Sequence, residues 1–233
     1  VEVKLIPGLE HLPFGEVWFH EIDDAAWREA SSAAWALGRS GLEVWTTDAS
    51  PSVVDFLEAR AYERVRRYVI SELDVAAAPA PGLPAFPLVT FAERPDLAEA
   101  LFAIAVDAYA DQPGRSETRL GGFEEWRSWG LDPHPADAYF IAVEGDRVLG
   151  YGFLEVDQGS WRNGFMAIAR TERGRGVAGA VKRRQIAWAK EHGVASLRTA
   201  TEIRLSQMRA LNERLGYRRL YDEIVLRGPV ADV

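Results

Sequence analysis

Apolar and polar positions along this chain fall into two runs of strand-like and helix-like segments separated by a proline-rich stretch. In the first run, Glu16–Glu21 alternates with period two and predicts a strand. Asp23 or Asp24 then caps a helix through Trp27, Ala30, Ala34 and Trp35, ending at Gly38. Leu42–Thr46 reads as a strand. Ser50-Pro51-Ser52 reads as a helix start, because proline is tolerated in the first turn, and Val53, Val54, Phe56, Leu57 and Ala61 follow it. Arg66–Leu73 is a further strand. From Val75 to Pro87, four prolines and a glycine cannot continue a helix or an interior strand, so this stretch predicts a stiff, extended linker.

The second run opens with a strand at Leu88–Phe91. A helix from Pro95 follows, with Leu97, Leu101, Ile104 and Ala105 at helical spacing and an end near Asp111-Gln112-Pro113-Gly114. Phe123, Trp126 and Trp129 share one face of another helix, and Asp132-Pro133-His134-Pro135 is a turn. Tyr139–Val143 and Val148–Val156 are joined by Gly145-Asp146, a hairpin signal. A short apolar run, Phe165–Ala169, leads into Thr171-Glu172-Arg173-Gly174-Arg175-Gly176-Val177-Ala178-Gly179, and an amphipathic run continues to about His192. The order is strand, glycine loop, helix. Ser196–Thr201 is then a strand, Ser206–Leu215 a helix and Arg219–Leu226 a last strand. The whole predicts a mixed α/β (α+β) architecture.

That loop carries the candidate chemistry. Glycines let the backbone pass close to a ligand, and a helix start offers unpaired N–H groups with a partial positive charge. Arg173 and Arg175 add full charges that suit a diphosphate. Gly174, Gly176 and Gly179 match the dinucleotide fingerprint as letters, with Glu202 the nearest acid for a ribose, but a doubly wound sheet needs more parallel units than the chain has room for. A P-loop fails because Ala180 and Val181 stand where Lys and Ser/Thr would hold phosphate and magnesium.

Arg173, Gly176 and Ala178 stand as R-x-x-G-x-A, which resembles the acetyl-coenzyme A loop of GNAT-type N-acetyltransferases. Met208, Asn212, Leu215, Gly216 and Tyr217 resemble that superfamily's second motif. The resemblance implies a GNAT fold over residues 88–233. It implies that Arg173, Gly174, Arg175, Gly176, Val177 and Ala178 hold the diphosphate. It also implies that Met166, Ala167 and Ile168 pair with the amide-bearing arm of the coenzyme, and that Asn212 lies at the coenzyme. Many relatives carry a tyrosine acid where this chain has Asn212. A related subgroup has asparagine there, and places asparagine at the positions of Thr201 and Leu205 too. Glu155, with Asp157 on the same strand face, is the candidate base, and Tyr217 is core or hinge material with its hydroxyl near the surface. Residues 1–75 repeat the later order of elements. Ala34-Trp35-Ala36 echoes Ala187-Trp188-Ala189, and Glu58 with Tyr62 echoes Glu213 with Tyr217. This predicts a degenerate partial GNAT unit (1–75), a linker (76–87) and a complete unit. In the first unit, acidic Glu21-Ile22-Asp23-Asp24 replaces the basic loop and disfavours a diphosphate.

Composition narrows the rest. Hydrophobic residues make up 48% of 233, with eight tryptophans, enough for a packed core. A net charge of −8 argues against a general nucleic-acid or anionic-membrane binder. Without cysteine there is no disulfide, thiolate metal site or cysteine nucleophile, and the four histidines show no metal spacing. No apolar run approaches a membrane span and no secretory signal opens the sequence, so the expected setting is cytoplasmic. The expected activity is acetyl transfer from acetyl-CoA to a primary amine of a small acceptor, with no metal and with a homodimer possible. The alternatives are a catalytically silent coenzyme A-binding sensor or scaffold, and an NAD(P)-dependent oxidoreductase.

Overall fold

The computed structural model describes residues 1–5, 8–80, 82, 85–113, 117–157 and 159–231. Pro81, Leu83 and Pro84 of the linker, and Gly114 at the expected helix end, lie outside the described residues. Nine strands and six α-helices form among the described residues, in two compact units that do not follow chain order. Unit 1 is 1–70, 201–204 and 220–233, and unit 2 is 71–200 and 205–219.

Unit 1 contains β1 (Phe14–Trp18), α1 (Asp24–Ala36), β2 (Gly41–Thr47), α2 (Pro51–Glu58), the first part of β3 (Glu63–Asp74) and most of β9 (Arg218–Pro229). Their order in the sheet is β1, β2, β9, β3. β1 runs parallel to β2, with Phe14 opposite Gly41, and β2 runs antiparallel to β9. The first strand therefore lies earlier than the alternation at 16–21 suggested. The ladder ends where the Phe19 N–H donates to the Trp45 carbonyl at 2.9 Å, and Asp23 then caps α1, its carboxylate accepting from the Ala26 N–H at 2.8 Å. Leu42, Val44, Ile224 and Leu226 face the helices and pack with Ala30, Ala34, Val53 and Leu57. On the opposite face, Glu43 is fully buried between Arg66 and Arg227, with Arg227 Nε 2.8 Å from its carboxylate. Trp45 stacks there between Trp18 and Tyr68.

Unit 2 contains β4 (Leu88–Thr90), α3 (Ala98–Asp111), α4 (Phe123–Gly130), β5 (Tyr139–Glu144), β6 (Arg147–Asp157), β7 (Ser160–Ile168), α5 (Val177–Glu191), most of β8 (Ser196–Glu202), α6 (Ser206–Arg214) and the end of β3. The strands lie in the order β3, β8, β7, β6, β5, β4. β4 to β7 form an antiparallel meander, and β7 and β8 are parallel, connected through α5. A parallel crossover beside a four-stranded antiparallel meander is not a doubly wound sheet, and Glu202 is buried and paired with Arg204 at 2.7 Å. The dinucleotide reading fails on both points.

Both sheet faces of unit 2 are covered, which explains why β5 is buried along nearly its whole length. Phe140, Ala142, Leu149 and Leu154 pack against Val177, Val181, Ile186 and Trp188 of α5. Tyr139, Ile141, Tyr151 and Phe153 pack against Leu101, Ile104 and Trp126 of α3 and α4.

Candidate active site

The site is built where β7 passes into α5. Gly174 (φ 81°) and Gly176 (φ 87°) take left-handed conformations that a side chain would strain, and the space where a Cβ would project is open at both. Gly176 caps α5 without any side-chain cap, and no acidic residue lies in the first turn. The N–H groups of Gly176, Val177, Ala178 and Gly179 find no acceptor among the described residues. Open backbone donors, a helix start and room beside two glycines fit an anionic group such as a diphosphate.

Both arginines have carboxylate partners, which the sequence reading missed. Arg173 donates to the Ile168 carbonyl (3.2 Å) and pairs with Asp111 at 2.8 Å. Arg170 and Arg173 together hold the Asp111 carboxyl down at about 2. Arg175 pairs with Glu172 inside the loop and sits 5.6 Å from the centre of the Phe86 ring. Glu172 is only 3% exposed. Burial pushes its carboxyl up, but the Thr171 hydroxyl, Arg175 and Arg147 outweigh that and hold it below the ordinary carboxylate value. Glu172 is thus the internal anchor of the loop.

Ahead of the loop, Met166, Ala167 and Ile168 pair with Gly152, Tyr151 and Gly150 of β6 along one edge. On the other edge, among the described residues, β7 pairs with β8 only at Arg162–Arg198 and Asn163–Thr199. Beyond that point β7 runs on toward the loop with no further β8 register. A bulge separates the two stretches, with Gly164 and Phe165 opposed to Phe153 alone. A Cβ at Gly164 would overlap the Phe153 ring, so any larger residue there has to displace it.

Glu155 lies on β6 opposite Arg162, whose Nε is 3.0 Å from it; Arg162 also binds Asp157 at 2.7 Å. The two acids share a face and one arginine. Burial raises the Glu155 carboxyl despite Arg162. His134, which the sequence left in a turn with no partner, has Nδ1 3.5 Å from Glu155 and stacks on Phe153 with ring centres 3.9 Å apart. Burial lowers its imidazole, and a hydrogen bond with the Trp129 backbone partly offsets that. A carboxylate held toward its protonated form beside a neutral imidazole is suited to accepting and passing on a proton.

Asn212 is buried on α6. The Tyr217 hydroxyl is not near the surface as expected. It donates to Asn163 Oδ1 at 2.7 Å inside the core, where burial raises it above its ordinary value. Two further polar residues of α5, Lys182 and Gln185, are buried with it. Among the described residues no group of three His, Asp or Glu side chains is arranged to hold a metal ion, and no helix is long and apolar enough to cross a membrane.

Residues 98–217 match the Acetyltransferase (GNAT) family. Among solved structures, the chain is similar to a GCN5-related N-acetyltransferase from Sphaerobacter thermophilus (TM-score 0.72, 20% identity, 99% of this chain and 76% of that one). It is also similar to a tandem GNAT protein from the clavulanic acid biosynthesis pathway (0.71, 17%, 95% and 77%) and to a GCN5-related N-acetyltransferase from Kribbella flavida (0.63, 18%, 97% and 89%). At these identities the likeness is one of fold. No curated protein matches the sequence.

Proposed function

Because the chain belongs to the GNAT acetyltransferase family, whose members use acyl-CoA, we propose that it moves an acetyl group from acetyl-CoA to a primary amine of a small acceptor. The observation that carries this reading is the edge of β7 beyond Asn163, which β8 leaves unpaired and which leads directly into open N–H groups flanked by Arg173 and Arg175. Met166 and Ile168 offer backbone groups to the amide arm, much as a strand receives a peptide, whereas Ala167, of the same parity as Ala169 whose N–H donates to the Leu149 carbonyl, turns its own toward Tyr151 of β6. Arg173, Gly174, Arg175, Gly176, Val177 and Ala178 receive the diphosphate, and Asn212 lies near the thioester.

In the transfer, the amine nitrogen forms a bond to the acetyl carbonyl carbon, the C–S bond breaks, and the proton that the nitrogen sheds as it becomes an amide passes to the sulfur, which leaves as coenzyme A thiol. The acceptor reaches the site as an ammonium and must lose a proton first. Glu155, flanked by His134, takes that proton. The acidic balance of the chain, −8 overall, favours a cationic acceptor. We further propose that residues 1–75 are a degenerate partial unit, joined by 76–87 to the acetyl-CoA unit at 88–233.

Release of free thiol from acetyl-CoA, measured across polyamines, aminoglycosides and amino acids, tests this. Turnover with at least one amine supports the proposal. Tight coenzyme A binding with no turnover on any of them would reduce the chain to a coenzyme-binding sensor.

A further inference from the structure

Asn163 and Thr199 form the last rung between β7 and β8. Beside that rung is an amine. Lys182 of α5 is 3% exposed, with Nζ 3.3 Å from Asn163 Oδ1, 3.4 Å from Thr199 Oγ1 and 5.0 Å from the centre of the Tyr217 ring. Asn163 accepts from the Tyr217 hydroxyl and donates to Gln185 at 2.9 Å, and Gln185 donates to the Phe153 carbonyl, also at 2.9 Å, opposite the bulge. One side chain therefore touches both strands at the place where they part.

The surroundings suit a neutral amine better than an ammonium. α5 contributes Gln185, β7 Asn163 and β8 Thr199, all uncharged. The residue before β9 contributes Tyr217, which burial keeps protonated. Among the described residues no carboxylate pairs with Nζ. A neutral amine can donate to Asn163 and accept the Thr199 hydroxyl hydrogen on its lone pair. An ammonium has three N–H donors and no lone pair, so Thr199 must turn its hydrogen away; the Tyr217 ring face gives the third N–H a favourable but weak partner, and no carboxylate offsets the burial of the charge. Burial accordingly brings the amine from 10.5 down to about 7.

We propose that Lys182 is a positioning residue that sets the spacing of β7 and β8 at their fork, its neutral form holding the β7 edge in the arrangement that receives the coenzyme. This rests on the acetyl-CoA reading above, because it assigns a ligand to that edge. Coenzyme affinity should then rise with pH through the range in which Lys182 loses its proton.

The experiment is calorimetric titration of coenzyme A into the full chain from pH 6 to pH 8.5, for wild type, Lys182→Met and Asn163→Asp. Methionine keeps most of the unbranched apolar stem and removes the titration; aspartate places a carboxylate against Nζ and so favours the ammonium. Expected are a roughly three- to tenfold tightening with pH in wild type, its loss in Lys182→Met, and its displacement to higher pH in Asn163→Asp. Should the methionine variant fail to fold, the aspartate variant decides alone. A pH-independent affinity in wild type, the same step in Lys182→Met, or an unmoved step in Asn163→Asp overturns the role of Lys182 and leaves the acetyl-CoA reading standing. Absence of coenzyme A binding by wild type at every pH overturns both.

Discussion

Replacing Arg173 by alanine tests the diphosphate seat most directly, because the two loop arginines differ in what they hold. The Arg173 side chain is 43% exposed and its partner Asp111 is 33% exposed, whereas the carboxylate held by Arg175 is 3% exposed. A guanidinium bonded to a diphosphate oxygen contributes about 1.5–3 kcal/mol. Releasing Asp111 offsets part of that, although an exposed pair is weak and screened by salt. The net loss in Arg173→Ala should be about 1–2 kcal/mol, or roughly 5- to 30-fold weaker coenzyme A binding. Asp111 keeps its two 2.9 Å bonds to Arg170, so folding should be unchanged. Pantetheine, which has the amide arm but no diphosphate, is the control and should bind both proteins equally by calorimetry. Arg175→Ala should weaken coenzyme A too, but should also lower the urea midpoint, because Glu172 loses one of its two arginines. Coenzyme A affinities within twofold of wild type in both variants, or an equal loss with pantetheine, would refute the reasoning.

Four other outcomes follow from the structure. Glu155→Gln should lower kcat about 10²- to 10⁴-fold at saturating acetyl-CoA with coenzyme affinity unchanged. In wild type, because burial raises the Glu155 carboxyl, activity should fall as the pH drops through that elevated value, and steady-state profiles would show this acid limb. Gly164→Ala forces a methyl into the Phe153 ring and should cost about 1–3 kcal/mol in urea unfolding, with no cost at all counting against the bulge geometry. Glu43→Gln removes the negative charge that Arg66 and Arg227, with side chains 2% and 13% exposed, share. A loss of about 3–5 kcal/mol is expected, and one below about 1 kcal/mol would show that the pair relaxes into solvent.

What could be read in the sequence was local. Gly174 and Gly176 stand where the backbone has to turn left-handed, Asp23 and Ser50-Pro51 mark helix starts by their own chemistry, and the 139–156 hairpin follows from alternation around Gly145-Asp146. What escaped depends on partners distant along the chain. Lys182 looks like a surface lysine in an amphipathic helix until Asn163 and Thr199 close over it. Glu172 looks like a solvated charge next to the glycines, yet it is the most buried charged group of the loop because Arg147 reaches it from β6. His134 gains meaning only from Glu155 and Phe153 across the sheet, and the Tyr217 hydroxyl from Asn163. A search for buried polar positions on the inner stripe of α5 would have found Lys182 and Gln185, since both fall among Val181, Ile186 and Ala189.

The assignment of β9 to the sheet of unit 1 bears on how the chain can be made. β2 obtains its antiparallel neighbour only from Leu220 onward, so a ribosome must emit the whole intervening polypeptide before the amino-terminal sheet can be completed. Until then Val44, Trp45 and their neighbours present an edge without its mate, the kind of surface chaperones attend. Deleting the segment from Leu220 should therefore harm the beginning of the protein first, and expression of residues 1–75 alone should yield an aggregating fragment.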